Sequence, residues 1–179
     1  MSDAAASDHL YAVTVVGHDR PGIIAETTAR LAELGLNLED STMTLLRGHF
    51  AMTLICAGAA GGRDIEDALA PLTIDRSLRV TVAEVPAESG PTPGGSPWVL
   101  TVHGGDRTGI VSAVVAEVAA VRGNITDLTT RLAGDLYLLV AEIDVPAEAD
   151  VTALEAAVER VASELGVQAT LRRVDIDEL

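Results

Sequence analysis

The sequence predicts an α+β fold made of two tandem copies of one βαββαβ, ferredoxin-like unit. Three observations carry this. The stretch Tyr11-Ala-Val-Thr-Val-Val-Gly-His-Asp-Arg-Pro-Gly-Ile-Ile aligns with Trp98-Val-Leu-Thr-Val-His-Gly-Gly-Asp-Arg-Thr-Gly-Ile-Val at an offset of 87 residues. That register holds without a gap from residue 11 to residue 57, with 13 of the 47 positions identical. Between the copies, Pro86 to Pro97 is rich in Pro, Gly and Ser, the composition of a linker. The expected division is therefore residues 1–85, a linker at 86–96, and residues 97–179. A chain of 179 residues suits two domains of about 80 residues each, and two copies are too few for a solenoid.

In the first copy, residues 10–17 run apolar and stop at Gly17, as a buried strand does. Pro21 fits a first helical turn, with Asp19 as the expected N-cap. Ile24, Thr27, Leu31 and Leu34 recur at helical spacing as a core-facing stripe, and Gly35 is a natural C′ stop. Strands are expected at 36–46 and 50–58, joined by Arg47-Gly48-His49 as a hairpin turn. Ile65, Ala68, Leu69 and Leu72 mark a short second helix, and Leu78–Val85 a fourth strand. In the second copy, the second helix is marked by Val151, Leu154, Val158, Val161 and Leu165, and is closed by Gly166. A βαββαβ order implies a split-βαβ sandwich with the helices on one sheet face.

Composition removes several functions. Twelve basic residues against 27 acidic give a net charge of −15, and Arg172 and Arg173 are the only adjacent basic pair. Binding nucleic acid by neutralising phosphates takes a concentrated basic face, so direct nucleic-acid binding is not expected. All 12 basic residues are arginine; without lysine there is no Schiff base, P-loop lysine or lysine general base. The apolar stretch at 108–116 is too short to span a membrane. Met1-Ser2-Asp3-Ala4 lacks the start of a signal peptide. The single cysteine, Cys56, cannot close an internal disulfide, and a cytoplasmic location is expected. Cys56 lies in an apolar run that raises a thiol pKa and suppresses its reactivity. Ser112 follows no nucleophile-elbow motif. His9 falls in the N-terminal tail and His49 in the hairpin turn, while His18 and His103 fall at the repeated loops; no two have metal-ligand spacing. No metal, cofactor or catalytic set is expected, and the acidic end Asp175–Leu179 reads as a solvated tail.

The repeated loop, Gly17–Gly22 in one copy and Gly104–Gly109 in the other, joins the first strand to the first helix. The leading N–H groups of a helix lack intrahelical partners and carry partial positive charge, so they favour an anion. Gly22 and Gly109 let a ligand approach the backbone. Gly22 is followed by two isoleucines where a Walker A loop needs Lys-Ser/Thr, and the G-x-G-x-x-G dinucleotide turn is absent. A small carboxylate fits better than a nucleotide phosphate. The alternative is a tight turn capped by Asp. The chain's two asparagines, Asn37 and Asn124, occupy the same repeat position. Asn offers donors and an acceptor, and Asp19 or Asp106 acceptors, so with helix-end amides the set suits a zwitterion. The alternative is that both asparagines simply tolerate left-handed turns after Gly35 and Gly123.

With these residues in view, Gly-His-Asp-Arg-Pro-Gly-Ile-Ile followed by Leu-Gly-Leu-Asn-Leu resembles the ACT domain, a regulatory amino-acid-binding module. The resemblance covers roughly residues 9–85 and 97–175 and, with no catalytic domain in the chain, points to the ACT-only regulatory proteins. In that family, ligands sit between paired domains and are contacted by the loop after strand one and by the start of strand two. The resemblance thus implies ligand contacts from Asp19, Gly22, Ile23, Ile24 and Asn37, and from Asp106, Gly109, Ile110, Val111 and Asn124, with His18 and His103 as further pocket-lining candidates. The second copy departs from the pattern at Thr108, where proline is usual, and at Gly104-Gly105.

The expected function is a non-catalytic sensor of a small amino acid, glycine or serine by analogy, that controls a regulatory partner protein. Any control of transcription would pass through a DNA-binding partner, because the chain lacks a basic recognition helix. Homodimerisation is allowed, since edge strands invite association. The alternative is a ligand-free ACT module that only assembles proteins.

Overall fold

The structure is a computed structural model that describes residues 9–86 and 95–174. The N-terminal stretch, most of the expected linker and the acidic end lie outside the described residues. The chain divides into two compact units.

In the first unit the order is β1 (His9–His18), α1 (Ile23–Glu33), β2 (Asn37–Leu46), β3 (His49–Gly58), α2 (Gly62–Leu69) with a 3₁₀ turn at Ala70–Thr73, and β4 (Leu78–Val85). In the second it is β5 (Ser96–Gly105), α3 (Ile110–Ala120), β6 (Asn124–Ala133), β7 (Leu136–Val145), α4 (Val151–Leu165) and β8 (Val167–Arg173). Each unit holds one antiparallel sheet, ordered β2-β3-β1-β4 and β6-β7-β5-β8. This is the α+β, twice-repeated βαββαβ architecture that the sequence predicts.

Alternation along the central strands builds the core. Val13 and Val15 of β1, and Phe50, Met52, Leu54 and Cys56 of β3, point to one face and are buried with Ile23, Leu31, Ile65 and Leu69 of the helices. Each such side chain removed from water contributes roughly 1.5–3 kcal/mol. Thr27 is buried among them, its hydroxyl donating to the Ile23 carbonyl at 2.8 Å. Its repeat counterpart Val114 needs no such bond. Cys56 is fully buried, and desolvation, followed by the charge of Glu39, pushes its thiol pKa up, in keeping with an unreactive thiol.

Several local expectations are corrected. Asp19 does not cap α1: the helix starts later, on Gly22, and no side chain caps it. Pro21 accordingly lies in the turn before the helix. The stripe begins one residue earlier than the spacing suggests, since Ile23 is buried and Ile24 is 44% exposed. The hairpin turn is two residues long: Arg47 and Gly48 both take positive φ (50° and 81°), as a tight turn matched to strand twist requires. His49 instead opens β3 opposite His18. His9 is no tail residue; it opens β1 opposite Gly58 and its Nδ1 lies 2.9 Å from Glu84.

Both first helices end in the same motif with different residues. At α1 the Gly35 N–H donates to Ala32 and the Leu36 N–H to Leu31, with Gly35 at φ 73°. At α3 the left-handed position falls to Arg122 (φ 58°), and Gly123 follows it. A Cβ on Gly123 would sit 2.8 Å from Val118 Cγ1, so that glycine serves a close approach.

Candidate functional site

The repeated loop leaves the end of β1 or β5 and is tied to the neighbouring hairpin. The Asp19 N–H donates to the Gly48 carbonyl (3.4 Å), and the Asp106 N–H to that of Asp135 (3.2 Å). Gly22 and Gly109 then turn the chain into α1 and α3 with φ of 91° and 95°. Their carbonyls accept from Glu26 (2.9 Å) and Ala113 (3.0 Å), closing the first helical turns. No side chain caps either helix, so the leading amides and the positive end of the helix dipole are left for solvent or ligand.

The two pairs of repeated glycines do different work. A Cβ on Gly17 would overlap the Ser77 carbonyl oxygen, whereas one on Gly22 would meet nothing within 4 Å. Gly17 therefore serves the contact between β1 and the approach to β4. Gly22 serves the turn and faces open space. Gly22→Ala is expected to cost about 1–2 kcal/mol through the left-handed backbone alone, measurable by denaturant unfolding.

In the second unit, Asp106, Gly109, Ile110 and Val111 line one cavity of about 360 Å³. Arg107, Ser112 and Tyr137 complete its wall. The sequence reading did not place these three there. Tyr137 had a signal available: it stands at the repeat position of Phe50, so one copy gains a hydroxyl where the other has only a ring. The Ser112 hydroxyl donates to the Gly109 carbonyl at 3.0 Å. Ile110, like Ile23, is 1% exposed; these residues offer a ligand their amides and not their side chains.

The asparagines lie elsewhere within each unit. Asn37 pairs with Ala57, which pairs with Leu10, while the loop leaves β1 beyond His18. Eight residues of strand separate the two sheet ends, on the order of 26 Å. Asn124 is placed likewise, opposite Asp144 and in line with Pro97. Both asparagines are exposed on the helix-free face and neither takes positive φ, so left-handed turn geometry does not account for them. Within one unit the structure does not bring Asn37 to Asp19 and Gly22, or Asn124 to Asp106 and Gly109. Two residues after each asparagine the pairing register slips, leaving Glu39 and Thr126 as β-bulges at matching repeat positions. Bulges of this kind bend a strand and re-aim its side chains.

The remaining candidates separate. His18 ends β1 beside His49, ring centroids 5.4 Å apart. His103 lies inside β5, paired with Leu138 and Gln168, and is not among the residues lining the cavity of Asp106. Near the first loop, Glu26 accepts from Arg30 (3.1 Å) and Arg20 (3.3 Å); these bonds, Arg30's first, hold its carboxyl below the usual range. Glu26 therefore favours folding at neutral pH and loses that small contribution as acidification through and below the ordinary carboxylate range protonates it. In the second unit Ala113 stands at the Glu26 position, which leaves Arg107 without that partner at the cavity. Among the described residues no three His, Cys, Asp or Glu could hold a metal ion, and no helix is long and apolar enough to cross a membrane.

The glycine cleavage system transcriptional repressor of Escherichia coli (strain K12) is 25% identical to this chain over 181 residues, covering 97% of the chain and 94% of the repressor. A UPF0237 protein of Streptococcus mutans (SMU_72) is 49% identical over 43 residues, 24% of this chain and 49% of that protein. The crystal structure of an unknown protein from Galdieria sulphuraria superposes with a TM-score of 0.78 at 29% identity, over 94% of this chain and 99% of that one. The ACT domain family matches twice, at residues 9–81 and 96–172. With two matched βαββαβ units and full-length similarity to a repressor, the chain belongs to the ACT-domain family and is related to the glycine cleavage system repressor.

Proposed function

We propose that the chain is a non-catalytic sensor of a small amino acid, glycine or serine, and that it passes the signal to a regulatory partner protein. The observation that carries this reading is the cavity where Asp106, Gly109, Ile110 and Val111 converge at an uncapped helix N-terminus. The ligand carboxylate would lie on the leading amides of α3, favoured by the helix dipole, with Arg107 beside it. The ammonium would lie on Asp106. Asn37 and Asn124 stand a strand's length from the loop of their own unit, so a partner ACT unit would complete each site. In the first unit the corresponding contacts are Asp19, Gly22, Ile23 and Ile24.

Related repressor proteins and the net charge of −15 support control of transcription through a DNA-binding partner and not through DNA itself. A ligand changes that partner's affinity only if it binds one arrangement of the protein better than another, and the coupling is reciprocal. Isothermal titration with glycine and serine tests the reading. Saturable binding is expected, and Tyr137→Phe should weaken it about tenfold, the worth of one hydrogen bond, with little loss of stability because Phe50 already fills that place in the first unit. Heat-silent titrations with both amino acids, checked by equilibrium dialysis, would sink the reading.

A ligand-free assembly module is the second reading. It is favoured by the apolar side chains left exposed near the β2 and β6–β7 edges: Met43, Leu45, Leu46 and, at 54% exposure, Leu136. Such patches mark contact surfaces. This reading expects no amino-acid binding and a change of oligomeric state on replacing Leu45 with a charged residue.

A further inference from the structure

At the end of β1 away from Asn37, the first unit has an open cavity of about 690 Å³ whose wall includes His18, His49, Arg76 and Arg79, with the exposed Val16 giving it an apolar side. Arg79 stands opposite Val16 across the β1–β4 pair, and His18 opposite His49 across the β1–β3 pair. The nearby carboxylate of Asp75 is engaged by the N–H and hydroxyl of Ser77, at 2.9 and 2.7 Å. Among the described residues, neither Arg76 nor Arg79 is paired with a carboxylate. Two guanidinium groups and two imidazoles thus gather in a chain whose net charge is −15.

The fold does not demand this cluster. At the matching positions of the second unit stand Gly105 for His18 and Leu136 for His49. Where Val16 faces Arg79, His103 faces Gln168. The same architecture is built there without this set of side chains, so they answer to something other than folding.

We propose that this cavity binds the phosphate group of a small phosphorylated organic molecule. Arginine's planar fork matches phosphate oxygens in pairs, and the two imidazoles add donors for a third oxygen. The cavity is far larger than a bare phosphate and lies in the range of small-molecule sites, so its apolar side is left for the organic part. The site is distinct from the amino-acid cavity of the second unit and stands or falls independently of it.

The test follows the imidazole resonances of all four histidines in the full-length chain as inorganic phosphate is added at constant ionic strength. His18 and His49 should shift saturably while His9 and His103 stay in place. Combining Arg79→Gln with Arg76→Gly should weaken the binding at least tenfold. Gln is what the second unit carries at that place, and glycine suits the φ of 60° at residue 76, so the variant keeps its fold. Unsaturable shifts, equal shifts at all four histidines, or unchanged affinity in the double variant would overturn the proposal.

Discussion

Asn37→Ala combined with Asn124→Ala should abolish amino-acid binding while moving the stability of the free protein by no more than about 0.5 kcal/mol. Both side chains are exposed at the first residue of an edge strand, and neither residue relies on a left-handed backbone, so the fold loses little with them. The ligand loses the side-chain amide that a partner unit is proposed to bring to its site. A ligand at 100 times its dissociation constant adds about 2.7 kcal/mol of stability, on the order of 5–10 °C in Tm for a chain of this size. That increment should vanish in the double variant. Each single variant should leave sites that use the other asparagine, so titration calorimetry should report a reduced stoichiometry.

Gly17→Ala should be the most damaging single-atom-scale change in the first unit, costing about 3 kcal/mol, the upper range for overpacking. The added methyl would overlap the Ser77 carbonyl oxygen and crowd the Leu78 backbone. That same carbonyl accepts from the His18 N–H at 2.9 Å, so relief by backbone movement breaks a hydrogen bond. Gly104→Ala meets the Val167 side chain at 2.8 Å and its Cα at 3.0 Å, neither as deep an overlap as the one at Gly17. Denaturant unfolding of the full chain should rank the two in that order. Equal, small effects would show that the approach between β1 and β4 is looser than described.

The repeat makes most of the fold legible. Its gapless register matches β1 with β5 and α1 with α3 from the residues alone, and β4 and the Gly166 stop of α4 fall where the apolar spacing predicts them. What escapes is set by contacts between distant segments. The bulges at Glu39 and Thr126 exist only in register with β3 and β7, and the alternation along a single strand does not reveal them. Capping rules favour Asp19 at the start of α1 because they reward a nearby acidic residue. The chain instead continues its turn through Pro21, and Gly22 takes the left-handed conformation.

The site is legible in part for the same reason. Asp106, Gly109, Ile110 and Val111 are neighbours in sequence and converge on one cavity. Tyr137 joins them only because β7 pairs beside β5. The asparagines repeat with the loop in sequence, yet helix α1 or α3 carries the chain back along the sheet, so each begins its strand at the opposite end. Repetition identifies the residues, and topology decides which can meet within a unit.

The measurement that bears most directly on the sensor reading is a thermal-shift screen of the intact protein against the common amino acids at millimolar concentration. Glycine or serine should raise Tm by about 5–10 °C, and the rise should disappear when Asn37 and Asn124 are both alanine. A Tm unchanged by every amino acid would contradict the sensor reading and leave the ACT units as an assembly device.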